Sequence, residues 1–254
     1  MQHYMKILKY SFIPLLVLFI SCQSITVSRA ELGIPPSLVC FSFDDGPDAH
    51  NDTTARLLDV LKKYQIHALF CLLGENAEHY PGLVKRIHNE GHYIINHGYA
   101  DKWASKMNED EFRDNLIRGE AAISAALGFD MKPRLYRPHG GFYNSKQEKI
   151  CINEGYFIVL ANIRVHDAVA AETKQRKVAE RTVKKLEKQG GGIILLHDGR
   201  GSYSEKEIKL EKNPLCAYNR SWIPETVEKI IIALLDKGYV LNEPDILAAI
   251  GIGD

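Results

Sequence analysis

The sequence has no net charge. Its 32 Lys and Arg are matched by 32 Asp and Glu over 254 residues, which argues against a polyanion such as nucleic acid as the main partner and points to a substrate that is neutral or only locally charged. It also has no Cys-x-x-Cys pair. Of its five cysteines, Cys40, Cys71, Cys151 and Cys216 lie far apart, so neither a zinc knuckle nor a disulfide framework is indicated. Cys40 and Cys71 sit within apolar runs and read as small buried hydrophobes. No Pro- or Ser-rich break interrupts the chain after about Pro36. Its length and its average apolar content of 45% exclude a disordered chain and allow a sizeable core.

Nor is there an apolar stretch that spans a bilayer comfortably. Lys6 and Lys9 precede the run Phe12-Ile13-Pro14-Leu15-Leu16-Val17-Leu18-Phe19-Ile20, which is too short for that and suits a signal peptide over residues 1–30. Two processing sites compete. Phe19-Ile20-Ser21-Cys22 has the form of a loose lipobox, which would place a lipid on Cys22, and Ser28-Arg29-Ala30 has that of a signal peptidase site. We favour the first. The expected location is the periplasm or the extracellular space, with membrane attachment through Cys22 as a lipoprotein.

What is present, behind a linker over residues 31–37, is an alternation of strand-like and helix-like segments over residues 38–250, the pattern of one α/β domain. Apolar runs predict seven strands: Leu38–Asp44, His67–Leu73, His92–Asn96, Arg134–Arg137, Tyr156–Ala161, Gly192–His197 and Tyr239–Asn242. Helical spacing predicts Asp52–Tyr64, Glu172–Lys188, Glu225–Lys237 and a long helix from Asn108. There Asn108 and Glu111 have capping-box spacing, and Leu116, Ile117, Ala121 and Ile123 continue the buried face. Repeated units of this kind give a parallel sheet, open or closed into a barrel, with the chemistry at the C-terminal strand ends. Only the polar stretch over residues 199–222 departs from the pattern, as an insertion of functional length.

Four strand ends carry chemistry. In Phe43-Asp44-Asp45-Gly46-Pro47 two carboxylates meet a turn, and strand alternation predicts that they face different surroundings. His97 and Asp101 follow another strand at a spacing that shares a face of a helical turn, and with an Asp from elsewhere they make a mixed nitrogen and oxygen site for a divalent metal. In Tyr136-Arg137-Pro138-His139-Gly140-Gly141, Arg137 can pin a carboxylate and Gly140 can offer an N–H to an oxyanion. The run Ile193-Ile194-Leu195-Leu196 leads into His197, with Asp167 available to orient it. Each alone has a bland reading as a surface turn or a core histidine, and their joint occurrence does not.

In this order, over Val39 to Leu247, these motifs resemble the polysaccharide deacetylase family, also called the NodB-homology or carbohydrate esterase family 4 domain. The resemblance implies a distorted (β/α)7 barrel and metal-dependent removal of acetyl groups from sugars. It makes Asp44 the general base and Asp45 a metal ligand. His97 matches the first His of a His-x-x-x-His metal motif, Arg137 the Arg that holds the catalytic Asp, and Asp167 the Asp that tunes the acid. Leu195 and His197 match the final Leu-x-His motif, with His197 as acid. The expected cofactor is a divalent cation, Zn or Co, Mn or Ni, and the expected partner of this monomer is an acetylated polysaccharide such as peptidoglycan.

The sequence departs from that pattern in two places. Asp101 stands at the second metal-binding His, so the expected ligand set is Asp45, His97 and Asp101, a site shifted toward harder ions. His92 lies on the wrong side of its strand to substitute, and His139, in place of a Pro, is the alternative ligand. Ala168 replaces an aromatic wall of the acetyl pocket, which Trp222 or Tyr218 from the insertion would refill. The competing functions are an O-acetyl esterase and a catalytically silent glycan-binding relative.

Overall fold

The computed structural model describes residues 38–200, 209–239 and 241. The expected leader (1–30), the linker (31–37) and part of the insertion lie outside the described residues, as do two residues of the last expected strand, Tyr239–Asn242, whose described residues Tyr239 and Leu241 are not in a strand. Seven strands form one sheet: β1 (Val39–Gly46), β2 (Leu69–Leu72), β3 (Tyr93–Asn96), β4 (Arg134–Tyr136), β5 (Tyr156–Ile158), β6 (Ile163–Arg164) and β7 (Gly192–His197). Their order is β5-β4-β3-β2-β1-β7-β6, and every recorded pairing is parallel. Parallel neighbours need crossovers, which are supplied by α1 (Thr53–Lys63), α2 (Gly74–His79), α3 (Pro81–Asn89), α4 (Glu109–Leu127), α5 (Ser145–Asn153) and α6 (Gln175–Gln189), and α7 (Ile223–Leu235) follows β7 and packs on α6 and α1. The architecture is the expected distorted (β/α)7 barrel, with β5 and β6 as its edges.

Strand alternation sorts the core into two faces. Val39, Phe41 and Phe43 of β1 join the helix-side cluster with Leu57, Leu61, Ile230 and Leu234, whereas Cys40 joins Leu69, Cys71, Ile95 and Ile193 inside the barrel. Each fully buried Phe or Leu contributes roughly 1.5–3 kcal/mol. Ser42 and Asp44 share the parity of Cys40, so the sheet itself turns Asp44 inward. Burial pushes the Cys40 thiol up to about 12, which leaves it an inert hydrophobe as the sequence suggests.

Two expectations are corrected. The strand β6 was not foreseen, since two residues are too few for any period to show; it pairs with β7, whose Ile193 N–H donates to the Asn162 side chain (2.8 Å). On α4 the capping box forms as read, but Ile117 (46% exposed) and Ala121 face solvent. The buried stripe runs through Phe112, Leu116, Gly119, Glu120 and Ile123, and Ile117 and Ala121 each lie one residue past a buried position, Leu116 and Glu120, about 100° around the helix. Among the described residues, no helix is long and apolar enough to cross a membrane.

Candidate active site

The structure overturns the expectation that Asp44 and Asp45 face apart. Asp45 takes a left-handed backbone (φ 70°), and the register of β1 against β2 shifts between Asp44 and Gly46, as at a bulge. Both carboxylates therefore line one cavity. Left-handed backbone costs a residue with a Cβ about 1–2 kcal/mol. Here it is pinned by the Asn76 amide, which donates to the Asp45 carbonyl (2.9 Å). Gly199 packs against the same carbonyl, where a Cβ would come within 2.3 Å of the oxygen, so the loop after β7 closes on this turn only with glycine.

Asp44 lies beside His197 because β1 and β7 pair in parallel with Asp44 opposite His197 and Ser42 opposite Leu195. The two are supported differently. Asp44 Oδ1 accepts from Arg137 Nη1 (2.7 Å), and the same guanidinium donates to Ser42 Oγ (2.8 Å) and to the Val159 carbonyl (3.0 Å). Burial raises Asp44, but Arg137, with His97 and His197, outweighs burial and holds it below its ordinary value. The half-buried His197 has Nδ1 3.1 Å from Asp167 Oδ1, and its backbone N–H donates to Asp167 Oδ2 (2.8 Å). Burial disfavours the imidazolium, and Asp167 overrides it, so His197 is raised. A carboxylate whose charged form is favoured thus faces an imidazole that holds its proton more tightly than a free one, the pairing that acid–base catalysis needs.

Next to Asp44 three donors converge. Asp45 Oδ1 lies 3.4 Å from both His97 Nε2 and His139 Nδ1, and the three ligand atoms fall within 4.8 Å of one another. That spacing is close to the roughly 3.3 Å edge of a tetrahedron with ~2.0–2.1 Å bonds. Asp45 Oδ1 and His139 Nδ1 are buried with no hydrogen-bond partner, so the residues fit a divalent cation. Burial raises Asp45, and His139 and His97 hold it well below its ordinary value; burial lowers His139, and Asp45 and Asp101 lift it to about 10. Asp101 is not in this group. Its carboxylate meets the far nitrogen of His139, Nε2, at 2.5 Å. The expected set of Asp45, His97 and Asp101 is therefore not assembled, and His139, the alternative, is the residue whose nitrogen stands with Asp45 and His97.

The cavity holds about 500 Å³, the size of a small-ligand site. Leu195 and Gly140 line it as expected. The wall foreseen from the insertion is not there. Trp222 is 2% exposed, packs in the helix-side core and donates its indole N–H to the Asn219 carbonyl (2.9 Å). Neither it nor Tyr218 lines the cavity. Trp103 does, 48% exposed and stacked where a Cβ on Gly140 would come within 3.1 Å of its ring, beside Phe142. Sequence reasoning passed over Trp103, although a Trp two residues beyond a candidate ligand is a signal.

It also missed Arg220, a residue of the insertion that supports the site from behind. This fully buried side chain donates Nη2 to Asp167 Oδ2 (2.6 Å), Nη1 to the Asp167 carbonyl (3.0 Å) and Nε to the His197 carbonyl (3.1 Å). Burial raises Asp167, and His197 and Arg220 bring it below its ordinary value. A lone Arg in a polar stretch gives no hint of such burial.

Comparison with known proteins agrees with this geometry. The model of the family described as polysaccharide deacetylase matches residues 34–159. A peptidoglycan-N-acetylglucosamine deacetylase of Bacillus cereus is 36% identical over 172 residues, 67% of this chain, and the chain spans 59% of that protein's length. A second protein of that name and organism is 30% identical over 175 residues, covering 69% of this chain and 79% of that one. The crystal structure of a peptidoglycan N-acetylglucosamine deacetylase in complex with 4-naphthalen-1-yl-N-oxidanyl-benzamide superposes with a TM-score of 0.63 at 31% identity, over 81% of this chain and 86% of the other.

Proposed function

Because the chain belongs to the polysaccharide deacetylase family, we propose that it is a metal-dependent hydrolase removing acetyl groups from N-acetylglucosamine residues of a cell-wall glycan such as peptidoglycan. One observation carries this reading. Asp44 and His197 stand opposite each other on paired strands, the first with its pKa lowered and the second with its pKa raised, over the same cavity as three metal donors.

Asp45, His97 and His139 would hold the cation, which when bound polarises an acetyl carbonyl and acidifies water. Two imidazole nitrogens and one carboxylate are a donor set of catalytic zinc, so we place Zn ahead of Co, Mn and Ni. Asp44, fixed by Arg137, takes the proton of the attacking water. The Gly140 N–H is offered to the oxyanion from the cavity wall, and Leu195 supports the acetyl group from β7. His197, with Nδ1 committed to Asp167, gives the proton on Nε2 to the departing nitrogen. An amide requires that step, because an amine anion is a very poor leaving group. An ester needs it less, so the investment of Asp167 and Arg220 in His197 favours the N-acetyl substrate over the O-acetyl one, and a silent glycan-binding relative would need neither acid nor base.

We place this activity outside the cytoplasm, in a monomer exported by the segment over residues 1–30 and held, if Cys22 is lipidated, at a membrane. The test is acetate release from acetylated glycans by the metal-loaded protein, with Asp44→Asn as control. Release abolished by Asp44→Asn supports the proposal. No release with any divalent metal, or release indifferent to Asp44→Asn, overturns it.

A further inference from the structure

We propose that Asp101 and His139 have exchanged the work of one position: His139 is the third ligand through Nδ1, and Asp101, which stands where the resemblance places a metal-binding His, is the carboxylate that holds the His139 ring. The inference rests on the metal-dependent reading above and deepens it.

The nitrogen atoms decide the assignment. His139 Nε2 is committed to Asp101 Oδ1 at 2.5 Å, so that nitrogen carries the proton and the lone pair sits on Nδ1. Nδ1 is the atom that is buried, unpartnered and 3.4 Å from Asp45 Oδ1. His97 is fixed in the opposite sense: its Nδ1–H donates to the Arg137 carbonyl (2.7 Å), which turns Nε2 toward the same Asp45 oxygen. Each ring thus has one nitrogen locked by an outer acceptor and the other facing the shared point, the arrangement of a ligating imidazole with its supporting carbonyl or carboxylate. The ring centroids are 4.9 Å apart, as two imidazoles directed at one ion would be.

Exposure separates the two roles. The Asp101 side chain is 29% exposed and the His139 side chain 9%, so the carboxylate meets solvent and the ring meets the site. The backbone makes the exchange possible: Gly140 and Gly141 both take positive φ (76° and 75°), and the Gly141 N–H donates to the Pro138 carbonyl (2.8 Å), a tight turn that tips His139 inward. The exchange also preserves charge. Asp45 with two neutral imidazoles leaves a divalent ion with a net positive charge for polarising a carbonyl, whereas Asp45 with Asp101 as ligand would cancel it.

The rival is a metal-free ion pair, an imidazolium held between Asp45 and Asp101. Titration of the metal-stripped protein with Co2+, read by calorimetry and by the cobalt absorption bands, separates the two, with circular dichroism to confirm folding. The expected wild-type result is one ion per chain. His139→Ala abolishes saturable binding. Asp101→Asn keeps one ion per chain with affinity reduced about 10- to 100-fold, as loss of a supporting carboxylate does. The double variant Asp101→His with His139→Pro, which returns the ligand to the other position, recovers binding lost in His139→Ala.

Binding retained in His139→Ala but lost in Asp101→Asn overturns the proposal by making Asp101 the ligand. A double variant no better than His139→Ala overturns the exchange, and a wild-type chain that takes up no ion leaves the ion pair in its place. If His139→Ala does not fold, the Asp101→Asn affinity and the double variant decide. Since ion binding is read and not acetate, a chain that binds Co2+ in this pattern but releases no acetate defeats the deacetylase reading and leaves the ligand exchange standing.

Discussion

The two halves of the site each contain a buried Arg–Asp pair, and they use it at different depths. In the base half, Arg137 touches the reacting carboxylate itself, Asp44 Oδ1, at 2.7 Å. In the acid half, Arg220 stands one residue further back, 2.6 Å from Asp167 Oδ2, and the reacting group is the imidazole in front. The same pair therefore has opposite consequences. Arg137 restrains the basicity of the group that must accept a proton, and Arg220 keeps Asp167 ionised so that His197 holds the proton it must give. Buried ion pairs add little net stability, but removing one partner leaves an uncompensated charge.

The largest expected effect breaks the base half at its reacting atom. Asp44→Asn keeps the shape and a hydrogen bond to Arg137 but cannot take a proton, so kcat falls by about 10²- to 10⁴-fold while substrate affinity holds. Steady-state kinetics on an N-acetylated glycan measures this, and an unchanged kcat would remove Asp44 from the mechanism. Next come the arginines. Arg137→Met and Arg220→Met each strand a buried carboxylate at about 3–5 kcal/mol, read from denaturant unfolding. Equal losses support the symmetry drawn here; a negligible loss in Arg220→Met would show that the insertion is not part of the site's frame.

These halves were not equally legible in the sequence. Asp44 and His197 close long apolar runs and Arg137 follows the short Leu135-Tyr136 pair, and the parallel register then sets Asp44 against His197 without further instruction. Six of the strands follow from the same runs, whereas the sheet order does not. What could not be read was whatever depended on backbone departing from its period: the left-handed turn at Asp45 that brings two adjacent carboxylates to one cavity, and the Gly140-Gly141 turn that presents His139 instead of Asp101. Arg220 was hidden for a different reason. Its burial is created by β7, the turn at Asp167 and the start of α7 together, and no local pattern encodes a contact made 53 residues away.

A smaller effect tests the acid half by direction. Asp167 raises His197, and an acid must be protonated to act, so activity falls as pH rises through the His197 value, above the ordinary 6.5. Asp167→Asn removes that support, and the alkaline limb of kcat against pH moves to lower pH. The stability that His197 draws from Asp167 has the same sign: present below pH 6.5, lost as pH rises through the folded value. An alkaline limb that stays in place in Asp167→Asn would assign it to another group.

The smallest effect comes from a third buried carboxylate that has no arginine. Asp198 follows His197, is fully buried and accepts the Thr54 hydroxyl at Oδ2 (2.6 Å), and among the described residues no partner meets its Oδ1. Against burial, Arg137 holds Asp44 down, His197 and Arg220 hold Asp167 down, and His139 and His97 hold Asp45 down; Asp198 is buried with no such cation against it among the described residues, and burial lifts it to about 7. Its folded value then lies above its unfolded value near 3.8, so the folded chain keeps a proton that the unfolded chain gives up. Stability is fullest below about pH 4 and is lost as pH rises to about 7. The shift sets a ceiling of about 4 kcal/mol, and relaxation around the charge reduces the observable part to on the order of 1–2 kcal/mol. Asp198→Asn keeps the acceptor for Thr54 and removes the titration, so its unfolding free energy should be flatter than wild type between pH 4 and 7. Parallel curves for the two proteins would mean that Asp198 is stabilised as a carboxylate after all, and the contrast with the two arginine-held aspartates would have to be abandoned.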